Sequence, residues 1–327
     1  MKILRILVVG AAVLAAFVYL TNASSLAPAM HGPPVLLAHR GLAQTFHREG
    51  LTNETCTAER IYPPVHGYLE NTIASMRAAF EAGADVVEFD VHPTKDGHFA
   101  VFHDWTVDCR TEGHGVTREH TLAELKALDI GYGYTGDGGK TFPFRRKGVG
   151  LMPSLDEVLT AFPEKRFLIN IKSNDAEEGR LLGARLARLA PERRARLMAY
   201  GADLPMAELQ AKVPSLKVLS KARLKACALA YLGVGWSGYV PASCRNMLLL
   251  VPVNYAWLAW GWPERFVQRM HDADTEVFIA GAYASGDAGS SGIDSAEALR
   301  ALPQPFDGGI WTNRIDVIGP MARSGTP

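Results

Sequence analysis

The sequence predicts an α/β fold, a (β/α)8 TIM-type barrel with a loop-rich insertion after its third strand. Three observations predict it. Short β-type runs alternate with helical patterns along most of the chain, which implies a mostly parallel sheet covered by helices. The units are too many for a small open sheet. Two long connections, residues 42–69 and 105–153, interrupt the alternation, and in a barrel both would rise from the strand ends where sites are built.

The elements follow in chain order. VLLAHRG (35–41) reads as a buried strand and ENTIASMRAAFEAG (70–83) as an amphipathic helix stopped by glycine. DVVEFDVH (85–92) and HFAVFHD (98–104) read as strands joined through a Lys95-Asp96-Gly97 turn. SLDEVLTAF opens on Ser154 as a cap, with Glu157 at the capping-box position. FLINIK (167–172) is the next strand, and a helix rich in Leu, Ala and Arg spans about 176–196. LMAYG (197–201), KVLS (217–220), LLLVPV (248–253), EVFIAGAY (276–283) and GGIWTN (308–313) supply the later strands, and a helix opens at Pro263. That is one strand too many for eight, so either LLLVPV or KVLS is expected to be a loop segment.

The chain has 327 residues, 34 basic against 34 acidic, and is 48% hydrophobic, enough for one large core. With no basic excess and no basic stripe interleaved with aromatics, nucleic acid is excluded as a partner. Residues 1–30 form the first segment: Lys2 and Arg5 precede an apolar run from Ile6 to Leu20, an export signal or a retained membrane anchor. Ala27-Pro28-Ala29 is the best candidate for a cleavage site. Either way residues 31–327, the barrel, are expected to be exported to the periplasm or outside the cell. Four cysteines, Cys56, Cys109, Cys227 and Cys244, suit an oxidising compartment; three pairings are open, and Cys56 with Cys109 and Cys227 with Cys244 is favoured. No CxxC or Cys/His cluster suggests zinc.

The chemistry gathers on DVVEFDVH. Alternation along a strand puts Glu88, Asp90 and His92 on one face and Val87, Phe89 and Val91 on the other. A solvated edge strand would look the same. The company of these residues argues otherwise: His39, His103, and Asn170 with Lys172 each end a predicted strand, at what would be a barrel rim. Two carboxylates buried together repel and lose hydration unless a cation compensates them. Oxygen ligands suggest Mg²⁺ or Ca²⁺. Two histidines with an ordinary pKa of about 6.5 form an acid and base pair, and Arg40 and Lys172 suit a phosphoryl group. Together these point to metal-assisted phosphodiester cleavage.

Here the sequence resembles the glycerophosphodiester phosphodiesterases, through HRG at 39–41, ENT at 70–72, Glu88 and Asp90, TKDG at 94–97, His103-Asp104, and the terminal GGIWTN. The resemblance runs over about residues 35–316 and is most specific in the first half. It implies His39 and His103 as the acid/base pair, Glu88 and Asp90 as metal ligands, Glu70 as a ligand or its support, and Arg40 and Lys172 as phosphate contacts. It also implies that residues 105–153 are the family's insertion between barrel units. One departure stands out: the family has a glutamate where this chain has Asn170, so one negative charge is lost; Asn170 is kept as a metal ligand, with His92 or Asp175 as candidates to compensate. The implied substrate is a small glycerophosphodiester, with no protein partner inferred. The rival readings are a phospholipase acting on intact membrane lipids, disfavoured by polar, Gly-rich loops, and a binding protein that holds a phosphate ligand without turnover. The aromatic segment WLAWGWPERF (257–266) reads as core packing or as the wall of a cationic head-group pocket, and HREGLTNETC (47–56) as a lid or a loop pinned by Cys56.

Overall fold

The computed structural model describes residues 1–27, 32–52, 55–284, 291–304 and 306–324. Pro28 and Ala29 of the candidate cleavage site lie outside them. Among the described residues nine strands form one sheet: β1 (Val35–His39), β2 (Val86–Pro93), β3 (Phe99–Val101), β4 (Arg166–Ile171), β5 (Leu197–Gly201), β6 (Lys217–Leu219), β7 (Leu248–Pro252), β8 (Glu276–Ala280) and β9 (Gly309–Thr312). Eight are parallel, in the order β6-β5-β4-β2-β1-β9-β8-β7, and a single parallel bridge between Val218 and Met247 brings the two ends together. The result is a nearly closed (β/α)8 barrel.

The extra strand is neither KVLS nor LLLVPV, since both are barrel staves. It is β3, which pairs antiparallel with the end of β2, Val101 opposite Val91 and Phe99 opposite Pro93. Gly97, at φ 83°, lets the chain reverse beyond the rim. The hairpin then runs back down until Phe102 N–H donates to Asp90 O at 3.1 Å, which delivers His103 to the mouth.

β2 is buried along its whole length, so its two faces meet different surroundings. Phe89 points outward, edge-on to Phe167 at 5.3 Å, and Phe167 in turn meets Phe80 of the helix Ile73–Glu81. Burying each such ring contributes roughly 1.5–3 kcal/mol. Glu88 and Asp90 therefore point into the barrel. The helix Ile73–Glu81 starts at a capping box between Thr72 and Ser75, and Ser154 with Glu157 forms the expected one. The helix predicted over 176–196 is interrupted: it ends at Ala187, and Ala190, held extended before Pro191, starts a separate turn.

Residues 42–69 and 105–153 are not bare loops. Ala58, Ile61, Phe102, Val107, Leu125 and Tyr134 belong to a second buried apolar cluster formed by the two segments and the hairpin. A disulfide between Cys56 and Cys109 joins the segments, and a second links Cys227 to Cys244, the favoured pairing. Replacing Cys56 and Cys109 together by serine is expected to destabilise the protein by roughly 2–4 kcal/mol, because the bridge closes a loop with a sequence separation of 53. A urea midpoint equal to that of the wild type would contradict this.

Candidate active site

Parallel register stacks polar side chains at the mouth. His39 aligns with Glu88, Asp90 with Asn170, and Asn170 with Tyr200. After β1 the chain turns through Arg40 and Gly41, both at positive φ, 59° and 76°. A Cβ on Gly41 would lie 2.7 Å from Ser75 Oγ and 2.9 Å from the Ser75 carbonyl carbon, so only glycine lets this turn lie on the start of the helix Ile73–Glu81. In this turn the Arg40 N–H donates to Glu88 Oε2 at 3.1 Å.

Glu88 and Asp90 have no exposed surface. Asp90 collects four donors: Asn170 Nδ2 at 2.9 Å, Asn71 Nδ2 at 3.0 Å, and the cationic ends of Arg40 and Lys172, each at 3.4 Å. Burial alone would raise its pKa; Lys172, His103 and Arg40 outweigh it and hold Asp90 well below the usual carboxylate range. Glu88 goes the other way. Burial and the Asp90 charge push it up against the opposing pull of Arg40 and of Tyr200, whose hydroxyl donates to Glu88 Oε1 at 2.7 Å. Among the described residues no three His, Cys, Asp or Glu side chains are drawn together around a single cation position. Arg40 instead reaches Glu70 Oε1 at 3.0 Å as well as Asp90.

The two histidines differ in setting. Arg40 Nε donates to His39 Nε2 at 3.2 Å, which assigns the imidazole proton to Nδ1; that N–H donates to Asn313 Oδ1 at 2.6 Å. Asn313 is fixed by Asp294 through its amide and its backbone N–H, at 2.8 and 2.6 Å. Burial and Arg40 hold His39 well below its ordinary pKa, so it is neutral at pH 7. His103 is also lowered by burial and then by Arg40 and Lys172, against the pull toward the protonated form of Asp90 and of Asp104, 2.6 Å from its Nδ1. Asp104 accepts from Arg110 Nε at 2.8 Å, and Arg110 lies 3.3 Å from Glu70. A series His103-Asp104-Arg110-Glu70-Arg40-His39, buried from Arg110 to His39, thus links the two imidazoles.

Of the eight candidate residues of the mouth, His39, Arg40, Glu70, Asp90, His103, Asn170 and Lys172 belong to this network or to Asp90 and its shell, and Glu88 joins them through the Arg40 N–H. Asp175 does not: it caps the helix Ala176–Ala187 and pairs with Arg118 at 3.0 Å. His92, lowered to about 4 by burial, lies behind the mouth, its Nε2 3.3 Å from the His103 carbonyl and its ring 6.0 Å from Trp105. Arg110, Asn71, Tyr200, Asn313 and Asp294 were not predicted. Position was the available sign for Tyr200, the next-to-last residue of LMAYG, and for Asn313, which ends GGIWTN as His39 ends LLAH. A cavity of about 540 Å³ opens beside His39, walled by Arg40, Glu70, Phe46, Tyr62, Asp294 and Asn313. His47 packs on Tyr62 at 4.1 Å, and Phe46, Arg48 and Glu49 beside it line the cavity, while residues 53 and 54 of the segment lie outside the described residues. Of the aromatic segment, Trp262 packs on Phe266 and Phe306, whereas Trp257 and Trp260 lie on the surface away from this cavity.

A model of the glycerophosphoryl diester phosphodiesterase family matches residues 39–224, more than half of the chain. The chain belongs to this family. A glycerophosphodiester phosphodiesterase from Caldanaerobacter subterraneus is 45% identical over 103 residues, which cover 32% of this chain and 39% of that protein. The match thus spans well under half of the curated relative's length. Among solved structures, a glycerophosphodiester phosphodiesterase from Agrobacterium tumefaciens shares the fold at TM-score 0.56 and 19% identity, covering 88% of this chain and 99% of that one. A phosphodiesterase from Oleispira antarctica, solved in complex with the product sn-glycerol-3-phosphate, does so at 0.53 and 18%, covering 90% and 98%. The family match includes His39, Glu88, Asp90 and His103; most of β1 precedes it and β7 to β9 follow it in the chain.

Arg110 is nearly inaccessible, and burial disfavours its charge; Asp104 and Glu70 outweigh this and hold it protonated. Arg110→Met would leave two carboxylates without their shared cation and is expected to cost about 3–5 kcal/mol of stability in urea denaturation at pH 7. A loss under about 1 kcal/mol, the range of an exposed ion pair, would contradict the linkage.

Proposed function

We propose that this protein is an exported, metal-dependent phosphodiesterase that cleaves glycerophosphodiesters to glycerol 3-phosphate and an alcohol. The observation that carries the reading is the meeting of two imidazoles and two cationic side chains over one buried carboxylate pair. The family membership supports it, as does the product named for the Oleispira antarctica relative. The disulfides and the apolar helix Lys2–Asn22 fit residues 1–30 as a signal or anchor and residues 31–327 as the exported unit.

Arg40 and Lys172 bind the phosphodiester, the first as a planar fork and the second as a point charge. His39, neutral with its proton on Nδ1, is the base: Nε2 takes the proton of the nucleophile as the new P–O bond forms. Attack by water gives glycerol 3-phosphate directly, whereas attack by the adjacent glycerol hydroxyl gives a cyclic phosphate whose ring P–O bond a water then breaks to give glycerol 3-phosphate. His103, whose protonated form Asp104 favours, is the acid: it gives a proton to the departing alcohol oxygen as the old P–O bond breaks. Asn313 and Asp294 keep the His39 tautomer. The donor chemistry fits a hard divalent cation, because Glu70, Glu88, Asp90 and the Asn170 amide oxygen are oxygen donors and burial, with the Asp90 charge, raises Glu88. Bound there, Mg²⁺ or Ca²⁺ would polarise the phosphoryl oxygens.

His39→Ala and His103→Ala are each expected to lower kcat on glycerophosphocholine about 10²–10⁴-fold with an unchanged circular dichroism spectrum; near-normal turnover in both would end this scheme. Asp104→Asn removes a group that, with Asp90, favours the imidazolium, so the alkaline limb of the kcat/KM profile, where His103 loses its proton, should move to lower pH. An unmoved limb would reassign the acid. Asn170→Glu adds a negative charge beside Asp90 and should tighten Ca²⁺ or Mg²⁺ binding in titration calorimetry, whereas unchanged binding would remove residue 170 from the ligand set.

A further inference from the structure

Residues 226–263 contain one charged side chain, Arg245. Part of this stretch is the core strand β7, but much of the remainder faces outward. Trp257 is 73% exposed, Leu229 61% and Tyr239 57%, and Leu232, Trp236, Leu258 and Trp260 are exposed beside them. Leu232, Trp257, Leu258 and Trp260 line one groove of about 550 Å³. A contiguous apolar surface of this kind marks an interaction site rather than ordinary exposure.

The same surface receives the end of the apolar helix Lys2–Asn22. Arg269 donates to Thr21 O at 2.6 Å and to Asn22 Oδ1 at 3.0 Å, and Asn22 Nδ2 donates to Trp236 O at 2.7 Å. Beyond the helix, Ser24 Oγ donates to Gly261 O at 3.0 Å and Arg265 to Leu26 O at 2.6 Å. The helix itself buries none of its residues. Its 21 residues span about 31 Å at 1.5 Å per residue, the thickness of a bilayer's hydrocarbon core. Phe17 meets Trp236 edge-on at 6.3 Å. Since Phe17 lies five residues before Asn22, that contact sets the Trp236 ring roughly 7.5 Å below the helix end. This is the depth at which amphipathic aromatic rings settle between headgroups and acyl chains.

We propose that the face formed by residues 229–239 and 255–260 is a docking surface for a lipid bilayer, the membrane in which the helix Lys2–Asn22 remains anchored. The proposal rests on the reading of that helix as a retained anchor. Its hydrogen bonds to Arg269 and Trp236 fix the catalytic barrel against the membrane instead of leaving it on a free tether. Trp236, Trp257, Leu229 and Tyr239 then enter the interfacial layer, and the aromatic segment 257–262 serves the membrane, not the substrate cavity.

The test uses the full chain reconstituted into phosphatidylcholine and phosphatidylglycerol vesicles whose acyl chains are brominated close to the headgroup. The anchor helix contains no tryptophan, so quenching of tryptophan emission reports on the barrel. Emission should be quenched in brominated vesicles, and the combined variant Trp236→Phe, Trp257→Phe, Trp260→Phe should lose most of that quenching while still floating with the vesicles and hydrolysing a soluble glycerophosphodiester at the wild-type rate. Protein that floats with the vesicles but is not quenched overturns the docking surface and leaves the anchor standing. Failure to float overturns both. Quenching that persists in the variant assigns contact to another face. Self-association abolished by Leu229→Ser with Leu232→Ser, without quenching, gives the surface to a second copy of the chain; each of these results overturns the proposal.

Discussion

Glu88 and Asp90 share the inner face of a strand that water does not reach, and much of the surrounding mouth answers the cost of that arrangement. Two carboxylates at neighbouring inward positions cannot both keep a charge unless donors and cations converge on them. Asp90 keeps its charge because Arg40, Lys172, Asn71 and Asn170 all turn toward it. Glu88 receives one backbone N–H and one phenol, and its pKa rises. The asymmetry leaves the mouth short of positive charge on one side, while the two side chains best suited to hold a phosphoryl group are already present on the other.

Support for this arrangement comes from outside the barrel. The β2-β3 hairpin carries His103 back over Asp90, and the second apolar cluster, pinned by Cys56 and Cys109, places Arg110 between Asp104 and Glu70. Arg110 follows Cys109 directly in the chain, so the covalent staple and the buried cation stand on the same turn. Residues 105–153 are thereby a structural part of the mouth: Arg110 orients Asp104, the partner of His103, and Glu70, the partner of Arg40.

The barrel was legible because parallel strands covered on both faces write near-continuous apolar runs, and because VVEFDV breaks that pattern only at inward positions. The convergence of His39, Glu88, Asp90, His103, Asn170 and Lys172 was legible for the same reason, as each ends an apolar run or lies on the inner face of one. What escaped was whatever depends on a return path. HFAVFHD has the composition of a stave, and only the register with Val91 shows that it folds back on β2. Arg110 reads as an ordinary polar residue within a long connection, because the carboxylates that bury it come from residues 70 and 104. Asn313 and Asp294 are separated from His39 by most of the chain, and no local periodicity ties them to it.

The central claim is that one phosphoryl group sits over the Asp90 carboxylate, gripped by Arg40 and Lys172 and flanked by both imidazoles. A crystal structure of the full chain with glycerol 3-phosphate and Ca²⁺ tests it most directly. The expected density places the phosphate oxygens on Arg40 and Lys172, with His39 and His103 within hydrogen-bond reach on either side. Phosphate bound in the 540 Å³ cavity away from Lys172, or with only one histidine in contact, would contradict the account.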